Sequence, residues 1–353
     1  MRRGLIARSR SELPDAVLDA RAARLRAALT DAGLDALIAY TNNTQPAAVS
    51  WLTGFVPYWS EALVVAPRAG DPFLVAALTF RVKSWIERTS RVADVIHSPR
   101  IGLEASRMIG ATKADAAVGV VDLAKLPTGI ADDLAEAGPR LRLSDASDLF
   151  ARLRARVDPA ELALTSQAAT IACRALAEAP SHRKDLAAAI AAVEAQARRL
   201  GAEETYIAAA PDLARDARLR RIEAEVQSGE RFALRATVAY KGCWTRVGRT
   251  YSRDGEEIDL VRPAERLAHA ITQLPGGSGF EGLPLWLVEG CRATQPLAPL
   301  MGSHISPAAP PGAGMLVSVQ ARFLIDERPI YIAAPALIGA RGEPSGLLVD
   351  PSR

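Results

Sequence analysis

The run GERFALRATVAYKGCWTRVGRTYS, residues 229–252, constrains the fold more than any other stretch of the chain. Apolar residues alternate on both sides of Lys241-Gly242, which reads as two strands joined by a tight turn. A two- or four-residue loop centred on that dipeptide pairs Thr237 with Arg246 and Arg235 with Gly248. Arg235 and Arg246 then become diagonal neighbours on one face, roughly 7–8 Å apart. Thr237, Trp244 and Thr250 share that face. A three-residue loop would shift the register by one and separate the two arginines. Two guanidiniums converging on a partly buried face demand negative partners, either protein carboxylates or an anionic ligand held bidentately.

The rest of the chain supplies two different textures. Pro14 stands at a helix start, and Leu18, Ala22, Leu25 and Leu29 recur at helical spacing until Gly33. Short apolar runs then follow at Ala36–Tyr40, Ala62–Ala66, Phe73–Leu78, Val92–Ile96 and Ala117–Val121. Helical patterns at Phe80–Arg88 and Thr128–Ala137 separate them, which indicates an α/β domain. Asp158-Pro159 opens a long helix, and a second helix ends at Gly201. Beyond it strands dominate: RFALRATVAY, CWTRVGRTYS, GMLVSVQARFL and IYIAAPALIG, with one more helix in RPAERLAHAITQL. Helices followed by strands predict an α+β unit with helices packed on a curved antiparallel sheet. The boundary falls near residue 156, giving domains 1–156 and 157–353.

Composition narrows the function classes. A net charge of +3 over 353 residues, without a long basic block, argues against nucleic acid. No apolar stretch approaches the about 20 residues needed to span a bilayer, and the basic N-terminus lacks the apolar run of a signal peptide. Cys173, Cys243 and Cys291 are too widely spaced for a disulfide framework or a zinc knuckle. Abundant alanine, and arginine in excess of lysine, fit a GC-rich bacterial source. A soluble cytoplasmic protein without a cofactor is the expectation. The glycine-rich LPGGSGFEG follows a helix and lacks phosphate-loop spacing.

Several motifs, in order, resemble the creatinase / prolidase / aminopeptidase P family. VSWLTGF followed by EALVVAP is similar to that family's YLTGF segment. VDPAELALTSQAATIACRAL is similar to the helix that opens its second half. GERFALRATVAYKGCWTRVGRTY matches the pattern G-D-x-V-L-I-D-x-G-x-x-Y-x-G-Y-x-x-D-x-T-R-T-F almost without gaps. GMLVSVQA resembles G-M-V-F-T-I-E-P, and IYIAAPALIGARG resembles I-R-I-E-D-x-V-L-V-T-x-x-G. The resemblance covers nearly the whole chain. It implies an α/β N-terminal domain followed by a pita-bread C-terminal domain, in a dimer.

Metallopeptidases of this family hold two metal ions with two Asp, one His and two Glu. Carried over by position, the aspartates fall on Arg235 and Arg246 and the glutamates on Gln320 and Ala333; the histidine falls near Cys291. Arginine has no lone pair to offer a cation, so the expectation is no metal. Creatinase shows that the family includes metal-free members, which rely on a histidine base. Here the segment expected to carry that base, YIAAAPDLARDARLRRIE, contains no histidine. Of His97, His182, His269 and His304, only His304 lies near the motif region. Cys291 and His304 are therefore the weak catalytic candidates. Tyr58 and Trp59, in the loop after the TGF motif, are candidates for an aromatic wall.

Two functions stay open. One is a metal-independent protein that binds a small anionic, amino-acid-like molecule through Arg235, Arg246, Gln320 and Trp244, with metal-independent C–N or C–X chemistry as its catalytic form. The other is a non-catalytic pseudoenzyme subunit, a homodimer or a heteromer with a family member. Asp212, Asp216, Glu223, Glu225 and Glu289 are the acids that could neutralise the arginines internally. The basic run DLARDARLRRIE reads as a solvated loop.

Overall fold

The computed structural model describes residues 8–45, 47–57, 59–137, 141–222, 226–276, 285–290, 303–304, 311–339 and 343–353. They fall into two compact units that divide between Arg154 and Ala155.

In the first unit, α1 (Asp15–Asp31) buries Leu18, Ala22, Leu25 and Leu29, the positions its periodicity marks. Gly33, at φ 65°, closes it: Gly33 N donates to Thr30 O and Leu34 N to Leu29 O. There follow β1 (Ala36–Asn42), α2 (Ala47–Thr53), β2 (Glu61–Pro67), β3 (Phe73–Ala76), α3 (Lys83–Thr89), β4 (Val95–His97), α4 (Ile101–Thr112), β5 (Ala117–Val121), α5 (Thr128–Ala137), β6 (Arg142–Asp145) and α6 (Ser147–Ala155). The strands form one mixed sheet in the order β4-β3-β2-β1-β5-β6. Alternate residues of β1 face opposite cores. Leu37 and Ala39 pack with Leu25 and Leu29 of α1, and Ile38 packs with Ile109 of α4 and Leu134 of α5. Helices thus cover both faces, as the α/β pattern predicts. The strand expected from Val92 begins only at Val95, because Ala93 N instead donates to Pro72 O in a loop.

The second unit begins with α7 (Pro159–Leu176). Asp158 caps it by accepting a hydrogen bond from Glu161 N at 2.9 Å, with proline at the first helical position. Next come α8 (Leu186–Arg199), β7 (Glu204–Ala210), β8 (Arg231–Tyr240), β9 (Cys243–Ser252), α9 (Val261–Gln273), β10 (Leu285–Gly290), β11 (Ser303–His304), β12 (Leu316–Ile325), β13 (Arg328–Leu337) and β14 (Gly346–Leu347). The sheet runs β11-β10-β12-β13-β9-β8-β7, with β14 paired to β13, and the pairs are antiparallel. The expectation drawn from the order of helices and strands, helices packed on an antiparallel sheet, holds.

One face of this sheet carries the core. Phe232, Leu234, Ala236 and Val238 of β8 pack with Ala172, Ala175 and Leu176 of α7 and with Val193 of α8. Alanines in α7 let that helix approach the strands closely. Val317, Val319, Ala321 and Phe323 of β12 pack with Leu267 and Ile271 of α9. Each large apolar side chain buried here contributes about 1.5–3 kcal/mol. The intervening residues of the same strands must then face the other way.

Candidate functional site

That second face is polar where its partner face is apolar. The β8–β9 turn is a two-residue one, Lys241 at φ 48° and Gly242 at φ 78°, the type I′ geometry that suits strand twist. Tyr240 therefore pairs with Cys243, Thr237 with Arg246, Arg235 with Gly248 and Ala233 with Thr250, the register read from the sequence. The row through Arg235 and Gly248 continues to Ala333 of β13 and Gln320 of β12. Arg235, Arg246, Gln320 and Ala333 therefore share one face, although they come from four strands.

Gln320 is the hub of this face. Its Oε1 accepts hydrogen bonds from Arg235 Nη1 at 2.8 Å and from Tyr331 Oη at 2.7 Å. Tyr331 reaches it across Gly248, where a β-carbon would stand 2.4 Å from Tyr331 Cε1. The backbone of Tyr331 is fixed by Thr250, whose Oγ1 donates to Tyr331 O at 2.8 Å and accepts from Tyr331 N at 2.7 Å. This bracket ties β9 to β13 beside their one ladder pair among the described residues, Ala333 with Gly248.

Burial is deep. Arg246 is 1% exposed, Gln320 5%, and Thr237 and Ser318 are fully enclosed. Thr237 Oγ1, Ser318 Oγ and Arg322 Nε are buried without a hydrogen-bond partner, as are Arg235 Nε and Arg246 Nε and Nη2. Arg235 and Arg246 each engage in further interactions, so neither is without a partner. Orphaned donors are costly inside a protein. Arg322 Nη2 donates to Leu213 O at 3.2 Å, tying the segment after β7 to this face. Leu213 packs there with Ala210, Ala233, Tyr331 and Ala333. The run DLARDARLRRIE, expected as a solvated loop, is corrected at this residue: Leu213 finds an apolar patch left by small side chains.

The acids of that segment serve their own arginines. Asp216 meets Arg218 at 3.0 Å and Arg220 at 2.9 Å, and Arg218 holds its carboxyl far below the usual range. Asp212 lies 3.5 Å from Arg215 and accepts a hydrogen bond from Ala214 N. Glu223 and Glu225 lie outside the described residues, and Glu289 stands opposite Ser318 in register. Among the described residues no three His, Cys, Asp or Glu side chains gather as a metal site would require.

Of the remaining candidates, Trp244 stands on the same face opposite Ala239 and is buried against it. Trp59 belongs to the first unit and is about half exposed. Tyr58 and Cys291 lie outside the described residues; His304 pairs with Glu289 in the β10–β11 ladder. Sequence reasoning missed Tyr331, Arg322 and Ser318. Period-two alternation from Gln320 would have found Ser318 and Arg322, and a glycine in mid-strand at 248 signals the close approach that Tyr331 makes.

Residues 21–156 match the Creatinase/Prolidase N-terminal domain family. No curated protein matches the chain. Among solved structures, a dipeptidase from Mycobacterium ulcerans is 18% identical with a TM-score of 0.66, over 95% of this chain and 96% of that one. The prolidase from Pyrococcus horikoshii OT3 is 15% identical with a TM-score of 0.69, over 93% of this chain and 97% of that one. An X-Pro aminopeptidase from Thermotoga maritima MSB8 gives the same identity and TM-score, 15% and 0.69, with the same 93% and 97% coverage. At such identities the likeness establishes the fold, which is the pita-bread prolidase fold.

Proposed function

We propose that this chain, whose residues 21–156 match the Creatinase/Prolidase N-terminal domain and whose fold is that of the prolidases, is a metal-free member of that family binding a small anion of amino-acid size. Arg235, Arg246 and Gln320 form the binding face, with Trp244 beside them. The observation that carries this reading is three buried donor atoms on that face without a hydrogen-bond partner, Thr237 Oγ1, Ser318 Oγ and Arg322 Nε.

A divalent metal pair does not fit these residues. Such ions require anionic oxygen or neutral nitrogen donors. Arg235 and Arg246 supply permanent positive charge and no lone pair. Gln320 Oε1 already accepts two hydrogen bonds. No step through a metal is therefore proposed. A bound carboxylate is instead held by charge-assisted hydrogen bonds from the guanidiniums, the strong class of such bonds. Conversion of that ligand by C–N or C–X bond chemistry would need a base, for which Cys291 and His304 remain the candidates.

A second reading, a non-catalytic subunit acting as a homodimer or beside another family member, has its own support. Leu213 and Tyr331 pack together onto the same face with Ala233 and Ala333, as filling-in of that face would require. Two measurements separate these readings. Elemental analysis of protein purified with Mn, Co, Fe and Zn present should find no stoichiometric metal; a stoichiometric metal would overturn the metal-free reading. Anions should raise the melting temperature of the native chain but not of Arg235→Ala. Stabilisation by no anion would leave the subunit reading standing.

A further inference from the structure

We infer that the second unit carries a separate site, on the helix-covered side of its sheet, for a small monocarboxylate with an apolar body. The inference does not rest on the anion face described above, because the two sites lie on opposite sides of the sheet.

A cavity of about 240 Å³ lies beside the end of β9. Of its lining residues, Tyr251 packs with the α7 cluster and Ile258 and Leu260 with the α9 cluster. The cavity therefore occupies the seam between those two clusters. Arg249 lines it as well, and stands opposite Leu234, which packs in the α7 core. Arg235 and Gly248 are each one residue along from that pair and so face the other way.

The charges at this cavity call for an anion. Arg249 is 5% exposed, and its hydrogen bonds run from Nε to Pro351 O and from Nη2 to Cys173 Sγ, both at 2.8 Å. Arg183, half-buried at the same cavity, donates from Nη1 to Pro180 O at 3.2 Å. Among the described residues no carboxylate pairs with either guanidinium. Gly255, at φ 85°, makes room for Arg183: a β-carbon there would stand 2.9 Å from Arg183 Cζ. Glu256 also lines the cavity, but it accepts two hydrogen bonds from Arg328 Nη1, at 2.9 and 3.0 Å, and lies 4.0 Å from Arg231. Asp350 is engaged with Ser352 N at 2.9 Å and with Arg353 at 3.0 Å. A guanidinium buried without a counter-charge is costly. A carboxylate entering the cavity supplies one through charge-assisted hydrogen bonds.

Size and walls give the rest of the ligand. Pro180, Ile258 and Leu260 are apolar, and Tyr251 spends its hydroxyl on Leu176 O at 2.8 Å. Phe232 stacks on the Tyr251 ring with centres 5.4 Å apart, which holds that wall in place. A cavity of about 150 Å³ accepts benzene, and pockets for drug-sized ligands run from about 300 to 1,000 Å³. The volume here falls between them, enough for one ring or branched chain with a carboxylate. Benzoate meets both the guanidiniums and the apolar walls; inorganic phosphate meets only the first.

The test is calorimetric titration of the full chain with benzoate, benzamide, acetate and inorganic phosphate. The variants are Arg183→Gln, Ile258→Trp and Arg235→Ala; Arg249 stays native because it also holds Pro351 and Cys173. Benzoate should bind once per chain, at least about tenfold more tightly than the other three, the scale of one charge-assisted hydrogen bond. Arg183→Gln should lose about tenfold for benzoate and nothing for benzamide. Ile258→Trp, which fills the cavity, should abolish benzoate binding, and Arg235→Ala should leave it unchanged. Benzamide matching benzoate would overturn the carboxylate assignment, and acetate or phosphate matching it would overturn the apolar body. Native benzoate affinity in Arg183→Gln or Ile258→Trp would overturn the cavity itself. Loss of benzoate binding in Arg235→Ala would place the ligand on the other face and overturn the inference. No benzoate binding at all would refute it while leaving the anion-face reading untouched.

Discussion

Tyr331 lies across Gly248, so that a β-carbon at residue 248 would stand 2.4 Å from Tyr331 Cε1 and 3.1 Å from Ala333 Cβ. The glycine is there for space, since its backbone is ordinary strand. Because the ring is admitted, its hydroxyl reaches Gln320 Oε1 at 2.7 Å and fixes the amide that also receives Arg235. The organisation of the face depends on a missing methyl group.

Gly248→Ala should therefore do two things at once. It should destabilise the fold by about 1–3 kcal/mol, the usual cost of overpacking, read from urea denaturation. It should also weaken anion binding more than Tyr331→Phe does, because displacing the ring disturbs Gln320 as well as removing one donor. Equal anion affinity in Gly248→Ala and native protein would show that Tyr331 does not position Gln320.

The hairpin that sets the register has its own pH dependence. Glu203 accepts a hydrogen bond from Gly242 N at 3.0 Å, and burial pushes its carboxyl up from the ordinary 4.5. A raised folded value means the stabilising contribution is complete below about pH 4 and is lost as pH rises through the folded value. Glu203→Gln keeps an acceptor for Gly242 N and removes the buried charge. Its melting temperature should exceed that of the native protein by a few degrees at pH 7 and converge with it below about pH 4. Parallel curves across that range would count against the assignment.

In the first unit, a phenol should report alkaline unfolding. Burial and the hydrogen bond to Glu61, at 2.7 Å, push Tyr40 up to about 12. Its stabilising contribution is present in full below the ordinary value of 10.0 and is lost as pH rises through about 12. Absorbance titration near 295 nm should show a step near 12 that Tyr40→Phe removes. A Tyr40 step near 10 in the folded protein would refute the buried, Glu61-bonded phenol.

Arg21 supports the same unit from inside it. It is 3% exposed, donates to Trp51 O at 2.8 Å, and lies 4.9 Å from the centre of the Trp51 ring. Arg21→Ala should cost about 2 kcal/mol, the range for a charged hydrogen bond. Arg21→Lys should recover less than half, since an ammonium cannot stack flat on the indole. Guanidinium denaturation of the two variants decides it, and full rescue by lysine would show that stacking contributes nothing.

Much of this was written in the chain itself. Helical spacing in Leu18, Ala22, Leu25 and Leu29, the Asp158-Pro159 start and the alternation in β8 and β9 are local signals, and the structure follows them. The pairing of Arg235 with Gly248 was one of the registers the sequence allowed, and the two-residue turn at Lys241-Gly242 selects it. Sequence could not decide what meets that hairpin from far along the chain. Tyr331 and Gln320 come to Arg235 only after β12 and β13 join the sheet, and Leu213 settles over them only once Ala210, Ala233 and Ala333 leave room. Strand periodicity assigns a residue to a face; which residues share that face depends on strand order and on the volumes left by neighbours, and those belong to the folded sheet alone.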